Sequence, residues 1–127
     1  MYVACYSTWF VAAHVLESHQ GPCSKPHGHN YRVRVCVYRH DLSNVGMVID
    51  YYTLKAVVDD IVSKLDHANL NDILGCKDPT SERLAAYIFS KVKDKLASID
   101  NNVHVRFVEV CETPDFCVMY ISDQNTY

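Results

Sequence analysis

The sequence contains no apolar run long enough to cross a bilayer, no cluster of lysine or arginine and no internal repeat. The apolar stretch of residues 3–16 is shorter than the roughly 20 residues that a membrane helix needs, and no basic segment precedes it as in an export signal. The net charge of −3 argues against nucleic acid or an anionic membrane as a partner. A chain of 127 residues can bury a core without staples, so one domain over residues 1–127 is expected.

The cysteines also lack the close, regular spacing that marks a secreted disulfide scaffold. Six are present, at positions 5, 23, 36, 76, 111 and 117. Disulfide-rich folds are typical of oxidising compartments, and this pattern does not match them. We therefore expect reduced thiols and a cytoplasmic location.

Apolar periodicity predicts six elements in the order strand, strand, helix, helix, strand, strand. The predicted strands cover residues 2–14, 29–38, 103–111 and 116–121. The first helix follows Asp50 as its N-cap, and its apolar residues recur at steps of three and four. The second begins near residues 79–82, where Thr80 or Ser81 can cap it, and ends between 97 and 101.

This order predicts an α+β fold (ββααββ) in which two helices cover one face of a four-stranded antiparallel sheet. The second strand has valines on one face and Arg32 and Arg34 on the other, as in a half-buried strand. The sheet face without helices would remain partly apolar. Such a face needs a cover, so the sequence also predicts a homo-oligomer.

Three histidines form a candidate metal site. His27 and His29 are separated by one residue and point to the same side of an extended chain. If the strand ending at His14 pairs antiparallel with the strand starting near His27, the opposed Cβ atoms come within about 5 Å. Three neutral imidazoles leave one tetrahedral position of Zn²⁺ open, which is typical of a catalytic site.

Cys23 lies four positions before His27, in a loop that is predicted to overhang the metal. Zinc and nearby imidazoles favour the thiolate, which can act as a base or a nucleophile. Alternatively, Cys23 is a fourth zinc ligand, which would close the site and make it structural. The sequence leaves both interpretations open.

Two further groups carry ionisable side chains at the ends of predicted elements. Asp66 and His67 follow the first helix and form an acid–base pair if a turn lets adjacent side chains meet; otherwise they are polar groups of a helix-end loop. Glu112 ends a strand and can accept two parallel N–H bonds from a planar, guanidine-like ligand edge. Taken alone, Glu112 is interpreted as an ordinary acid at the end of a strand.

Several motifs, in this order along nearly the whole chain, resemble the 6-pyruvoyltetrahydropterin synthase family. They are Phe10-x-Ala12-x-His14, Cys23-x-x-x-His27-Gly28-His29-Asn30, Gly46-Met47-Val48-Ile49-Asp50, Leu65-Asp66-His67-x-x-Leu70-Asn71-Asp72, Pro79-Thr80-Ser81-Glu82 and Cys111-Glu112-Thr113. Within the family, the three residues between Cys23 and His27 resemble the 6-carboxytetrahydropterin synthase branch of queuosine biosynthesis.

The resemblance implies a tunnelling fold (T-fold) whose subunits assemble as trimers, or dimers of trimers, around an oligomeric β-barrel. It implies an active site between subunits, with zinc on the three histidines and Cys23 as proton acceptor. Asp66 and His67 would be its acid–base partners. Glu112 would serve in catalysis and in anchoring the pterin, and Thr80 would also bind substrate.

The reaction implied by the resemblance converts 7,8-dihydroneopterin triphosphate to 6-carboxy-5,6,7,8-tetrahydropterin, with release of acetaldehyde and triphosphate. The alternative is triphosphate elimination without side-chain cleavage, as in the pyruvoyl enzymes. A pterin- or purine-binding zinc protein without turnover is a third possibility. Lys25, Arg32 and Arg34 are candidate triphosphate ligands, although solvated side chains explain them as well.

Overall fold

A long hairpin begins the fold and places the first candidate ligands side by side. In the computed structural model, which describes residues 1–123, β1 (Tyr2–His14) pairs antiparallel with β2 (His27–Arg39) along its whole length. His14 lies directly opposite His27 in this register. The antiparallel pairing on which the metal prediction depends is therefore confirmed.

Two more antiparallel strands and one short parallel strand complete an open sheet. β4 (His104–Thr113) pairs with β2, and β5 (Phe116–Ile121) pairs with β4. The fifth strand, β3 (Ala68–Asn69), was not expected; it pairs parallel with β1, and the order is β3-β1-β2-β4-β5. The four antiparallel strands are thus confirmed, and the sheet has two free edges within one chain.

The helices begin where the sequence predicts. α1 (Tyr51–Ser63) is capped by Asp50, whose carboxylate accepts hydrogen bonds from the first-turn N–H groups. α3 (Ser81–Ala97) is capped by Thr80 in the same way.

A short unpredicted helix, α2 (Leu70–Leu74), lies between them. It ends at Gly75, which has a positive φ of 63°.

The core lies between the sheet and helices α1 and α3. α1 packs on β1, and α3 packs on β4 and β5. Each fully buried Val, Leu or Ile side chain contributes about 1.5–3 kcal/mol relative to exposure. The largest fully buried aliphatic side chains on the helices or after them are Leu54, Leu65, Leu70, Leu84, Ile88 and Leu96. Both helices thus cover one face, as predicted.

The opposite surface of the sheet, called here the helix-free face, is formed by side chains such as Trp9, Arg32, Arg34, Glu109 and Met119. Arg34 contacts the carboxylate of Glu109 at 3.2 Å, and Arg32 lies 3.7 Å from it. Trp9 is 60% exposed. Polar and apolar groups therefore share this face.

The prediction of a half-buried β2 is only partly right. Cys36 and Tyr38 lie on the helix-free face but are buried, because Cys36 is bonded to Cys5 and the ring of Tyr38 contacts the ring of His104 at 5.4 Å. Strand alternation thus predicted the face on which these two residues lie, but not that they are buried there.

The expectation of reduced thiols is wrong for four of the six cysteines. Cys5 is bonded to Cys36, and Cys111 is bonded to Cys117. Each pair is directly opposed on neighbouring antiparallel strands, so the register brings together residues that their sequence spacing does not associate. Cys23 and Cys76 are free. No helix within residues 1–123 is long and apolar enough to cross a membrane.

Candidate active site

The three predicted histidines converge at one end of the β1–β2 hairpin, on the face that carries the helices. His14 is 1% exposed, and one ring nitrogen of each histidine lies within 4.8 Å of those of the other two. The rings meet edge to face, with centroids 4.6–5.3 Å apart. The three histidines that the sequence grouped therefore lie together in the structure.

Backbone carbonyls orient two of the imidazoles. Nδ1 of His14 lies 2.9 Å from the carbonyl oxygen of Pro79, and Nδ1 of His27 lies 2.7 Å from that of Lys25. A carbonyl accepts only, so each neutral ring carries its proton on Nδ1 and leaves Nε2 unprotonated. These two Nε2 atoms face each other at 3.0 Å, close to the roughly 3.3 Å between nitrogens of a tetrahedral zinc site.

His29 supplies the second indication that a cation fits. Its Nε2 is a buried polar atom without a hydrogen-bond partner among the described residues. Burial lowers the pKa of His29 below its usual value, and the neighbouring His14 and His27 lower it further, against an opposing effect of Glu112. A neutral imidazole with a free lone pair is the form that binds metals. The donor set thus fits Zn²⁺.

Glu112 lies beside this cluster, as the resemblance implied. Its Oε1 is 3.6 Å from Nε2 of His14 and 3.6 Å from Nε2 of His29. The side chain is 30% exposed, so one part of the carboxylate remains accessible to a ligand. A carboxylate in this position can accept N–H donors from a molecule that also reaches the metal centre.

Tyr31 is a site residue that the sequence analysis missed. It is fully buried, its hydroxyl lies 3.4 Å from Nδ1 of His14, and its ring contacts His14 and His29 edge to face. Burial, and secondarily the charge of Glu112, raises its pKa above the usual value, so it stays protonated. Its position two residues after His29 was the available signal, because residues i and i+2 share a strand face.

Asn71 was quoted only as part of a motif, but it fixes the end of β1. Its side-chain carbonyl accepts from Val15 N–H at 2.8 Å, and its amide donates to Val15 C=O at 2.9 Å. Val15 follows His14 directly, so this pair of bonds holds the chain where it leaves the metal centre.

Cys23 is not part of the metal cluster. It lies in a 3-10 turn (Pro22–Ser24), is half-buried and free, and its sulfur is not among the converging ligand atoms. Among the described residues its thiol makes no hydrogen bond, including to His67. This placement does not support the fourth-ligand interpretation.

Asp66 and His67 form a direct contact at 3.1 Å between Oδ2 and Nδ1. Adjacent side chains can meet because His67 adopts a left-handed conformation (φ 60°), which is uncommon outside glycine. Asp66 accepts from Val11 N–H at 2.9 Å; this bond, followed by the contact with His67, lowers the pKa of the Asp66 carboxyl. The His67 side chain is 79% exposed at the β1 edge of the sheet.

The remaining candidates divide by sheet face. Thr80 accepts from Arg83 N–H as the cap of α3 and follows Pro79, whose carbonyl holds His14. Arg32 and Arg34 lie on the helix-free face with Glu109, on the other side of the sheet from the histidines. They are therefore not placed to bind a triphosphate at this chain's own metal centre.

A model of the family described as 6-pyruvoyl tetrahydropterin synthase matches residues 5–123. The chain is 44% identical over 107 residues to the 6-carboxy-5,6,7,8-tetrahydropterin synthase of Synechocystis sp., a match that covers 80% of this chain and 81% of that protein. It is 35% identical over 91 residues to the dihydroneopterin monophosphate aldolase of Pyrococcus furiosus, covering 72% and 75%. The solved structure of Caenorhabditis elegans 6-pyruvoyl tetrahydropterin synthase has a TM-score of 0.81 and 27% identity, and covers 96% of both chains.

Proposed function

The chain belongs to the 6-pyruvoyl tetrahydropterin synthase family, and we propose that it is a zinc-dependent lyase that converts 7,8-dihydroneopterin triphosphate to 6-carboxy-5,6,7,8-tetrahydropterin, acetaldehyde and triphosphate. Membership makes it an enzyme acting on pterins, with the tunnelling fold that the sequence predicts. The observation that carries the finer proposal is the convergence of three imidazoles with the Glu112 carboxylate.

The choice of the carboxypterin branch has two supports. The Synechocystis relative named for that product is 44% identical over 107 residues, whereas the 6-pyruvoyl tetrahydrobiopterin synthase of Pongo abelii is 37% identical over 101 residues. The short interval between Cys23 and His27 also resembles the carboxypterin branch. We accordingly assign the protein to queuosine biosynthesis.

The metal centre is proposed to consist of Zn²⁺ on His14, His27 and His29. Bound there, the metal would supply Lewis-acid polarisation of the substrate's side-chain hydroxyls, which makes the neighbouring C–H more acidic. The protein's own contribution is orientation, because the carbonyls of Pro79 and Lys25 hold the unprotonated Nε2 atoms inward.

Glu112 is proposed to bind the ring. The 2-amino group and the adjacent ring N–H of a pterin form a planar donor pair, which one carboxylate can accept in bidentate fashion. The distance of 3.6 Å from Glu112 to two of the histidines lets one bound molecule reach both groups. Thr80, at the start of α3 next to Pro79, is proposed to contact the same substrate.

Proton transfer is assigned to Cys23 and the Asp66–His67 pair. Cys23 would take the proton from the acidified carbon, and His67 would return a proton to the substrate while Asp66 holds its tautomer. Within one chain Cys23 and His67 do not touch, and His67 projects outward from the sheet edge. We therefore propose that His67 acts at the site of a neighbouring copy.

That arrangement requires an oligomer, which we propose to be a trimer or a dimer of trimers around a closed β-barrel. The two free sheet edges and exposed apolar side chains of the helix-free face, such as Trp9 and Met119, support it. Light scattering tests it: three or six times the chain mass is expected, and a monomer would contradict it.

The decisive experiment is incubation of the zinc-loaded protein with 7,8-dihydroneopterin triphosphate, followed by mass analysis. We expect 6-carboxytetrahydropterin with equimolar acetaldehyde. Detection of the pyruvoyl product without acetaldehyde would instead assign the protein to the pyruvoyl branch. The close superposition on the C. elegans enzyme favours this alternative.

A parallel reaction with dihydroneopterin monophosphate examines the aldolase reaction named for the Pyrococcus relative. Turnover of the monophosphate alone would overturn the proposed substrate. Stoichiometric zinc and pterin binding without any product would instead favour a binding protein.

The cytoplasm is proposed as the location, together with a single-domain organisation. Family membership supports the first, but the two disulfides oppose it, because thiols in that compartment are usually reduced. One continuous core cluster supports the second. Cell fractionation with an antibody against the protein tests the location.

A further inference from the structure

The β4–β5 hairpin carries a disulfide directly beside Glu112, which faces the three histidines. Cys111 pairs with Cys117 and is bonded to it, and Thr113 pairs with Phe116. Two steps on β4 therefore match one step on β5, and Glu112 is the extra residue. Glu112 faces the histidines by the regular alternation of β4, on the same side as Val110, and the bulge leaves it without an opposed residue on β5.

Few other contacts fix this end of the hairpin. β5 is an edge strand, and Phe116, at its start, is 74% exposed. The turn that joins the strands has one side-chain bond, from Asp115 N–H to Thr113 Oγ1 at 3.2 Å. Farther along β5, Val118 is partly buried against the core, and the exposed Tyr120 contacts the ring of Phe89 on α3. The covalent bond is thus the constraint between β4 and β5 that lies nearest to the bulge.

We propose that the Cys111–Cys117 disulfide positions Glu112, so that its reduction weakens binding of the pterin ring without removing the metal. The inference rests on the proposed role of Glu112 as ring anchor. The disulfide acts through backbone geometry and does not touch the substrate. An intact bond holds the bulge in register; two thiols allow β4 and β5 to separate or slide there.

The second disulfide is a matched control within the same sheet. Cys5 and Cys36 are also directly opposed on neighbouring antiparallel strands and lie on the same helix-free face. Their strands, however, continue for seven or more residues before His29 or His14. Loss of this bond should therefore lower stability without moving Glu112.

The first measurement establishes the bonds themselves. The purified protein is denatured with an alkylating reagent and no reductant, and the modified residues are mapped by mass. Alkylation only at Cys23 and Cys76 is expected. Alkylation of Cys111 or Cys117 would overturn the proposal at once.

The second measurement compares Cys111→Ser/Cys117→Ser with Cys5→Ser/Cys36→Ser. Equilibrium dialysis gives the Kd for 7,8-dihydroneopterin, which carries the ring without phosphate. We expect about tenfold weaker binding for the first variant, with retained zinc, and unchanged Kd for the second. In turnover assays KM should rise in the first variant while kcat is preserved. Equal Kd values for wild type and the first variant would contradict the proposal.

A double-mutant cycle with Glu112→Gln separates positioning from general stability. If the disulfide acts through Glu112, its removal in the Glu112→Gln background should weaken binding no further. If Glu112→Gln binds the pterin more weakly while Cys111→Ser/Cys117→Ser binds it as wild type does, only the positioning role of the disulfide is overturned. Equal binding by Glu112→Gln and wild type would overturn the anchor role in the proposed function, and this inference with it.

Reduction of the wild-type protein provides a route that avoids variant folding. A water-soluble phosphine is oxidised to its oxide with oxygen from water, and the two hydrogens complete two thiols at Cys111 and Cys117. The metal remains because a phosphine does not chelate zinc as a dithiol does. The same rise in Kd is expected in wild type and in Cys5→Ser/Cys36→Ser, and an unchanged Kd after complete reduction would refute the inference.

Discussion

The three-histidine cluster and the Asp66–His67 pair both adjoin β1, but a single chain buries the first and leaves the second largely exposed. His14 is 1% exposed and is held by a carbonyl, a tyrosine hydroxyl and two neighbouring rings. The His67 side chain is 79% exposed, and within residues 1–123 its polar contact is with its neighbour Asp66. One chain therefore encloses the candidate metal ligands, whereas it leaves the proposed acid–base pair largely open to its surroundings.

The largest expected effect is the loss of zinc, which distinguishes a metal-ligating histidine from the Cys23 thiol. His27→Ala should reduce zinc from about one ion per chain to a trace, because two imidazoles and an open site hold the metal poorly. Cys23→Ala should keep its zinc and lose turnover. Metal analysis after gel filtration measures both. Loss of zinc from Cys23→Ala would make the thiol a ligand and would remove the distinction between the two regions.

The second prediction asks whether the exposed pair works across chains. Cys23→Ala and His67→Ala should each lose about 10²–10⁴-fold in rate, since each removes a proton-transfer group. Unfolded together and reassembled in equal amounts, they should recover about a quarter of wild-type activity, because one interface in four pairs intact groups. Recovery no greater than that of the separate variants would place both groups in one chain.

Tyr31→Phe tests how the buried His14 is held in place. The change removes a 3.4 Å contact to His14 Nδ1 but leaves the shorter bond to Pro79, so zinc affinity should fall about tenfold, the lower end of such effects. Competition with a coloured chelator gives the affinity. Tyr38→Phe, on the helix-free face, is the control. Unchanged affinity in Tyr31→Phe would show that the carbonyl alone orients the ring.

The smallest expected effect concerns acid stability at the exposed pair. The pKa of Asp66 is lowered, first by Val11 N–H and then by His67, so its ionised form stabilises the fold above the ordinary aspartate value of about 3.9. That contribution disappears as pH falls through the lowered folded value. The Tm of Asp66→Asn should therefore fall less than the Tm of wild type when the pH is lowered from 5 into the acid range.

Asp94→Asn is the control for this measurement, because the Asp94 carboxylate on α3 has no partner within residues 1–123. Parallel Tm curves for wild type and Asp66→Asn would contradict the expected contribution of Asp66.

The sequence predicted that the three histidines come together because each step depended on local pattern. Alternation defined β1 and β2, and a hairpin of two such strands brings His14 to His27. Asp50 and Thr80 were recognisable as caps because their side chains act within three residues. Even Tyr31 was within reach, since it shares a face with His29.

The features that the sequence did not predict depend on pairing or on unusual backbone. The contact between Asp66 and His67 needs a left-handed histidine, a conformation that is uncommon outside glycine and that the sequence pattern does not specify. The disulfides need the register between strands, and Cys5 and Cys36 are 31 residues apart. The bulge that leaves Glu112 unpaired also depends on the register between β4 and β5. None of these is encoded in a short window of sequence.

Trp9 gives the helix-free face an optical reporter. It is the only tryptophan of the chain, so indole emission comes from that surface alone, where it is 60% exposed. A subunit that covers the face would move the emission to shorter wavelength, and dissociation would move it back. The wavelength of one fluorophore thus follows assembly without any label, at concentrations far below those that scattering requires.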